Sequence, residues 1–367
     1  MEFVNATRMA STYTVAFDAA GREVLVVAIK GTFQIPEESG AALRLHEVQR
    51  PLTMSDEFFG EPGLSAPRYE GDFAMRKEHC DVLLNATAHA PGGRPTTRLS
   101  VGVQIGSWSK SFNVVGDRHW ECGVATLRHT PEAVFTEIPI TYERAFGGTD
   151  DKHPDPSHHA AFMANPVGRG FHKQTAGKFI DGAPLPNTEE AGHRVNTMDG
   201  HYRPMSFGSI GRQWQPRVAY AGTYDEKWMN EVFPFLPADF DERYFQAAPP
   251  DQQLPKFCGN QQVSLTHLTP GGHCDFVLPH FDAPVYVFPR SGQCRELAAE
   301  LDTVLIQPDE GLVALTWRLT LPLKRDIFEL SQVLVGKKGI QWWRMHARLG
   351  NPIPIQPDPA NSATASP

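Results

Sequence analysis

The chain has 367 residues, 41% hydrophobic and 21% charged, with 31 glycines and 31 prolines. That length buries a core without disulfide or metal, as two domains or one large β-rich unit with long insertions. The formal net charge is −8 and lysines and arginines form only short pairs such as Lys337-Lys338, which argues against nucleic acid as a partner and suits a basic protein partner instead.

Residues 1–146 read as a β-rich half. "STYTVAF" alternates, and "REVLVVAIKGTFQI" (Arg22 to Ile35) is a long β-branched run ended by Pro36. "DVLLNATAHA" (Asp81 to Ala90) and "RLSVGVQIGSWSKSFNVVGD" (Arg98 to Asp117) continue the alternation, with Val101, Val103 and Ile105 on one face. The turn signals "PGGRP" and "VVGDRHW" predict antiparallel neighbours. Residues 147–222 have no clear period and are dense in Gly, Pro, Asn and His. They predict a long, ordered but irregular segment pinned by Phe162, Phe171, Phe207 and Trp214.

Residues 223–350 read as a second β-rich half, opened by two short helices. "TYDEKWMNEVF" starts at Thr223 with Glu226 three residues on, and "DFDERYF" repeats the capping-box spacing with Asp239 and Glu242. Pro234 and Pro237 stop the first helix. The aromatics Phe233, Phe235, Phe240, Tyr244 and Phe245 read as packing between the two helices rather than as an open groove. Strands return in "QQVSLTHL", "CDFVLP", "APVYVFP", "ELDTVLIQPDE" and "GLVALTWRLTLPL", while residues 325–346 carry both helical and strand signals. Residues 351–367 are Pro, Ala and Ser around few apolar groups, a disordered tail. The fold class expected is mainly β: antiparallel sheets forming one or two sandwich-like units, with a long irregular loop segment and a few short helices.

The start of the chain has no basic region ahead of an apolar run, and no stretch has the apolar length of a membrane span. The five cysteines (Cys80, Cys122, Cys258, Cys274, Cys294) lack CxxC spacing and read as reduced thiols of a cytoplasmic protein. Catalytic patterns are sparse. "FGSIG" (Phe207 to Gly211) lacks the spacing of a nucleophile elbow, and "NPVGRGF" lacks that of a phosphate loop. Ser107 and Lys110 have a Ser–Lys spacing, but positions three apart on a strand point to opposite faces. His273 and Cys274, neighbours on a strand, also point apart. The sharpest candidate is "DDKHPDPSHH", with Asp150, Asp151, His153, Asp155, His158 and His159 in ten residues, ligand types that suit a first-row metal. Its two prolines interrupt regular presentation, so a polar loop is favoured over a metal-dependent hydrolase. No catalytic residue, metal ligand or cofactor is assigned.

The heptad "YERAFGG" (Tyr142 to Gly148) places Glu143 beside Arg144. Adjacent side chains do not face each other, so each needs a partner elsewhere, with Arg169, Arg217 and Asp225 as candidates. Arg144 reads as a structural bolt against a buried charge. Gly147-Gly148 lets the chain leave at dihedrals other residues avoid.

"VVGDRHW", "IPITYERAFGG", "NPVGRGF", "LPN", "WQPR", "AGTYDEKW", "FPFLPADFDERYFQAAPPDQQ" and "LDTVLIQPD" follow one another between about Asp72 and Trp317. In that order they resemble a bacterial family, first catalogued as a domain of unknown function, that accompanies type VI secretion genes. The motif positions are Tyr142, Glu143, Arg144, Phe146, Gly147, Gly148, Asn165, Pro166, Gly168, Trp214, Arg217, Gly222, Thr223 and Trp228, all expected to be structural. Asn85 stands where the resemblance leads one to expect glycine, a departure at one strand end. The resemblance implies a non-enzymatic, cytoplasmic adaptor or chaperone. Its partners would be a secreted toxic effector and the spike protein or PAAR-repeat tip of the secretion needle. The contact is expected at an exposed strand edge or in the aromatic-containing loop segment 150–212.

Overall fold

Strand Glu23–Gln34 is the predicted β-branched run, buried from Val24 to Phe33. It is covered on both faces, which is why it lacks a simple alternation of apolar and exposed residues. A computed structural model describes residues 1–123, 126–173, 177–198 and 201–348; the predicted tail at 351–367 lies outside the described residues. Strand 23–34 pairs antiparallel with Ala10–Phe17 on one side and Leu312–Pro322 on the other. Strand 312–322 pairs with Arg295–Gln307, which takes Ala283–Pro289 beside its first half and Cys80–Leu84 beside its second. Leu330–Val335 and Glu2–Asn5 follow beside Ala283–Pro289, and the two-residue strands Arg44–Leu45 and Gln253–Leu254, paired with 23–34 and 80–84, bring the sheet to ten strands. The sheet nearly closes on itself, with the rings of Phe3 and Tyr13 5.5 Å apart across the two edges.

A second sheet has five strands in the order Thr188–Glu189, Trp108–Val115, Arg98–Ile105, Gln262–Thr266, His273–Val277, all antiparallel. Leu99, Val101, Val103 and Ile105 are buried while Ser100 and Gln104 are exposed, the face read from alternation. One core cluster joins the sheets, with Val101, Val103 and Leu265 meeting Ile29, Leu315 and Trp317. Burial of each such side chain contributes about 1.5–3 kcal/mol. Strands from residues 1–146 and from 223–350 therefore share both sheets and one core. Most pairs are antiparallel. The two parallel ones within the ten-stranded sheet, 80–84 with 295–307 and 2–5 with 330–335, join strands far apart in sequence, where no hairpin dictates direction.

The opposite face of the large sheet is also buried and carries an ionic patch between two small apolar clusters, one around Val24, Val26 and Met75 and one around Leu83. Lys30 donates to Asp72 at 2.8 Å and to Thr53 at 3.0 Å. Lys77 donates to Asp81 at 2.7 Å and Glu70 at 3.2 Å, and Arg318 Nε donates to Asp302 at 2.6 Å. Thr53, Glu70, Asp72 and Lys77 come from an irregular segment laid over the strands. A cavity of about 30 Å³ between Lys30, Glu70, Lys77, Thr316 and Arg318 has room for a water molecule.

Both predicted helices form, but each starts two residues later than expected. Helix Glu226–Glu231 is capped by Asp225, which accepts from the Trp228 N–H at 2.8 Å. The single turn Glu242–Phe245 is capped by Asp241 in the same way. Thr223 and Asp239 are unavailable as caps because they bind each other: the Thr223 N–H and hydroxyl donate to the two Asp239 carboxylate oxygens at 3.0 and 2.7 Å. The ambiguous stretch 325–346 divides into a turn Ile327–Glu329, strand Leu330–Val335 and helix Ile340–Arg348. Asn85 separates strands 80–84 and Ala86–His89 and donates its side-chain amide to the Arg68 carbonyl. Among the described residues no helix is long and apolar enough to cross a membrane.

Candidate functional site

Tyr142–Arg144 forms one tight turn, and Phe146–Gly147 then pairs in parallel with Arg169–Gly170. The two most distinctive motifs, "YERAFGG" and "NPVGRGF", are thus one joint. Asn165 is fully buried at its centre and donates its amide to the carbonyls of Tyr142 (2.8 Å) and Phe146 (3.0 Å). Its own carbonyl accepts the Gly148 N–H at 2.8 Å, and Pro166 accepts the Thr149 hydroxyl. The backbones approach so closely that a Cβ on Gly147 would fall 2.1 Å from the Asn165 carbonyl oxygen. On Gly168 it would fall 2.4 Å from the Asn165 amide nitrogen. The Tyr142 ring is buried edge-on against Trp214, 5.3 Å between centroids, and burial pushes its phenol well above the ordinary value.

Glu143 and Arg144 do not pair with each other. Glu143 Oε1 accepts the Ala66 N–H at 2.7 Å, and the Glu143 carbonyl accepts Arg169 Nε at 2.9 Å. Arg144 donates to Asn187 at 3.1 Å, lies 3.9 Å from Asp117, and its side chain is 32% exposed. The expected bolt against a buried charge is therefore corrected: at this end of the fold that part falls to Arg118. It is 2% exposed and 2.7 Å from Glu189, which also lies 2.9 Å from Arg98. Of the expected partners, Arg169 meets the heptad through a carbonyl and Asp225 caps a helix. Arg217 binds Glu70 together with the carbonyls of Ile210 and Tyr244. Buried Glu70 is also met by Lys77 and Arg212. Burial pushes its carboxyl up, but these three cations prevail and hold it at about 2.

The Asp/His loop is tied down locally. Asp155 caps the turn Pro156–His158, the rings of His153 and His158 lie 4.1 Å apart, and His159 Nε2 lies 2.7 Å from the His153 carbonyl. Buried Asp150 accepts the Lys173 N–H at 2.8 Å. Among the described residues no group of three His, Cys, Asp or Glu side chains is placed to hold a metal ion. Ser107 is exposed at a turn, whereas Lys110 is buried against Gln252 (2.6 Å) and Asp251 (3.2 Å). Burial lowers the Lys110 ammonium to about 8.

The aromatic residues of segment 150–212 and Trp214 turn inward: Phe207 and Trp214 are buried, and Phe162 and Phe171 pack on the cluster around Phe146. The exposed apolar surface lies just beyond, and three further motif positions build it. Gly222 takes φ +81°, and Thr223 clamps Asp239. Trp228 donates from Nε1 to the Phe235 carbonyl at 2.9 Å, while its ring meets Tyr224 and Phe233 edge-on at 4.7 and 5.6 Å. Phe235 reaches Phe17, at the end of strand 10–17, at 5.4 Å. Phe17, Tyr224, Met229, Phe233 and Phe235 remain 37–61% exposed. Of the five aromatics predicted to pack between the helices, Phe240, Tyr244 and Phe245 stack on one another, but Phe233 and Phe235 face outward. Carboxylates dominate the segment: Asp225, Glu226, Glu231, Asp239, Asp241 and Glu242 against Lys227 and Arg243.

A family model described as an uncharacterized protein conserved in bacteria (DUF2169) matches residues 20–318. The chain belongs to this bacterial family. No curated protein and no solved structure matches it. The DUF2169 span takes in the joint, the buried ionic layer and the exposed aromatic surface except Phe17, and ends before the helix Ile340–Arg348.

Proposed function

We propose that this DUF2169 protein is a non-enzymatic adaptor that holds a secreted toxic effector in the cytoplasm. It then helps load that effector onto the spike protein or PAAR-repeat tip of a type VI secretion needle. The observation that carries the reading is the ledge of Phe17, Tyr224, Met229, Phe233 and Phe235, which is exposed yet fixed by hydrogen bonds and ring contacts. A preformed aromatic surface loses little side-chain freedom on binding, and covering each such ring contributes about 1.5–3 kcal/mol. The resemblance of the motif series to a family that accompanies type VI genes supports the same reading, as does the net charge of −8.

Affinity purification of the tagged full chain from a host expressing type VI genes, with mass spectrometry of what copurifies, tests it. Recovery of a toxin together with a spike or PAAR-type component is expected. Recovery of neither overturns the proposal.

A further inference from the structure

We infer that the ledge formed by Tyr224, Met229, Phe233 and Phe235 docks a lysine- or arginine-rich amphipathic segment of a protein partner. The inference deepens the adaptor reading, on which it rests for the client's identity; the chemistry of the surface is argued separately. Residues 223–245 carry six carboxylates and two cations, a net −4 out of the chain's −8. One of those cations is already engaged, since Arg243 pairs with Asp241 and covers the Tyr220 ring at 4.3 Å. The Thr223 N–H and hydroxyl hold the Asp239 carboxyl below its usual value, and Arg243 does the same for Asp241, so both are charged at neutral pH. The facing strand end adds an internally paired Asp18 and Arg22, 2.7 Å apart, and so leaves the balance acidic.

Asp241 and Glu242 already face Arg243 and Arg76. An uncharged apolar partner would bring no counter-charge to Asp225, Glu226, Glu231 and Asp239, and an acidic partner would add repulsion. A segment with apolar side chains on one face and cations on its flanks satisfies ledge and rim together. The ledge is ready to receive it. The Trp228–Phe235 hydrogen bond, the Thr223–Asp239 clamp and the Phe17 contact fix its shape before any partner arrives.

The test uses the purified full chain and two short fluorescent peptides of identical pattern, one lysine/leucine and one glutamate/leucine, followed by anisotropy. The lysine peptide is expected to bind and the glutamate peptide not. The Met229→Ser/Phe233→Ser variant, unchanged in net charge, is expected to bind the lysine peptide about tenfold more weakly, the loss that removing central apolar anchors brings. Glu226→Gln/Glu231→Gln is expected to bind about threefold more weakly, with a flatter salt dependence. Both pairs of residues are exposed, so melting curves matching the unaltered chain are expected. Equal binding by the serine variant would show unspecific attraction to an acidic protein and overturn the inference, as would equal binding of both peptides. The adaptor reading has its own test in the host purification, so either can fail while the other stands.

Discussion

The joint at 142–170 and the ledge at 222–240 are built from the same vocabulary of aromatics, glycines and charged residues, and they use it in opposite ways. In the joint the glycines bring two backbones into contact around buried Asn165, and Tyr142 and Phe146 are covered. In the ledge Gly222 and the Thr223–Asp239 clamp turn the chain so that Phe233 and Phe235 stay outside. Motif density alone therefore does not separate scaffold from surface; what separates them is whether the aromatic rings find a partner element.

The sharpest way to break the contrast is Gly147→Ala. Its Cβ would sit 2.1 Å from a backbone oxygen at φ +147°, so unfolding by urea should show a loss of about 4 kcal/mol or more. A stability within about 1 kcal/mol of the unaltered chain would show that the joint is loose. Next comes Glu70→Gln, which strips buried Lys77 and Arg217 and the partly exposed Arg212 of their shared carboxylate. With Glu70 held at about 2 against an ordinary 4.5, the loss is about 3 kcal/mol at neutral pH. Because the folded value lies below the unfolded one, this stabilisation is complete above about pH 4.5 and disappears as pH falls toward 2. Acid titration of stability should therefore fall more steeply in that window for the unaltered chain than for the glutamine variant.

Arg144→Ala should cost less than about 1 kcal/mol by thermal melting, as expected for a partly exposed side chain without a close carboxylate. A larger loss would return Arg144 to the bolt role assigned from the sequence. Phe233→Ser should be the quietest of all, within about 0.5 kcal/mol, because its ring is 61% exposed. If it melts much earlier than the unaltered chain, the ledge belongs to the core and not to a partner.

Much of the sheet system was legible. The alternation over 98–105 gave the buried face directly, and the β-branched run at 22–35 became a long buried strand beside the edge strand 10–17. The caps slipped because Thr223 and Asp239 are chosen by a contact sixteen residues apart in sequence, which no local spacing encodes. The buried ionic layer was missed, although each strand carried a trace of it. Lys30 in "VVAIKGTF", Asp81 in "CDVLL", Asp302 in "ELDTVLI" and Arg318 in "TWRLTL" each set one charge inside an apolar run. Read strand by strand, such a charge looks like the solvent side of an amphipathic strand. Only the pairing of these strands, with an irregular segment above them, shows that the side is covered. Arg144 was overrated for the converse reason: its neighbours in sequence suggested a site, while burial is decided by residues far away.

The two-sided chemistry of the large sheet has a further consequence, for alignment. Along strand 312–322 the ionic side holds Thr316 and Arg318, and the oily side Leu315 and Trp317. A shift of one residue against strand 23–34 would drive the guanidinium into the core and the indole among carboxylates, so a mispaired sheet is penalised on both surfaces at once. Salt on one side and hydrocarbon on the other work as a ratchet that leaves these strands a single registration.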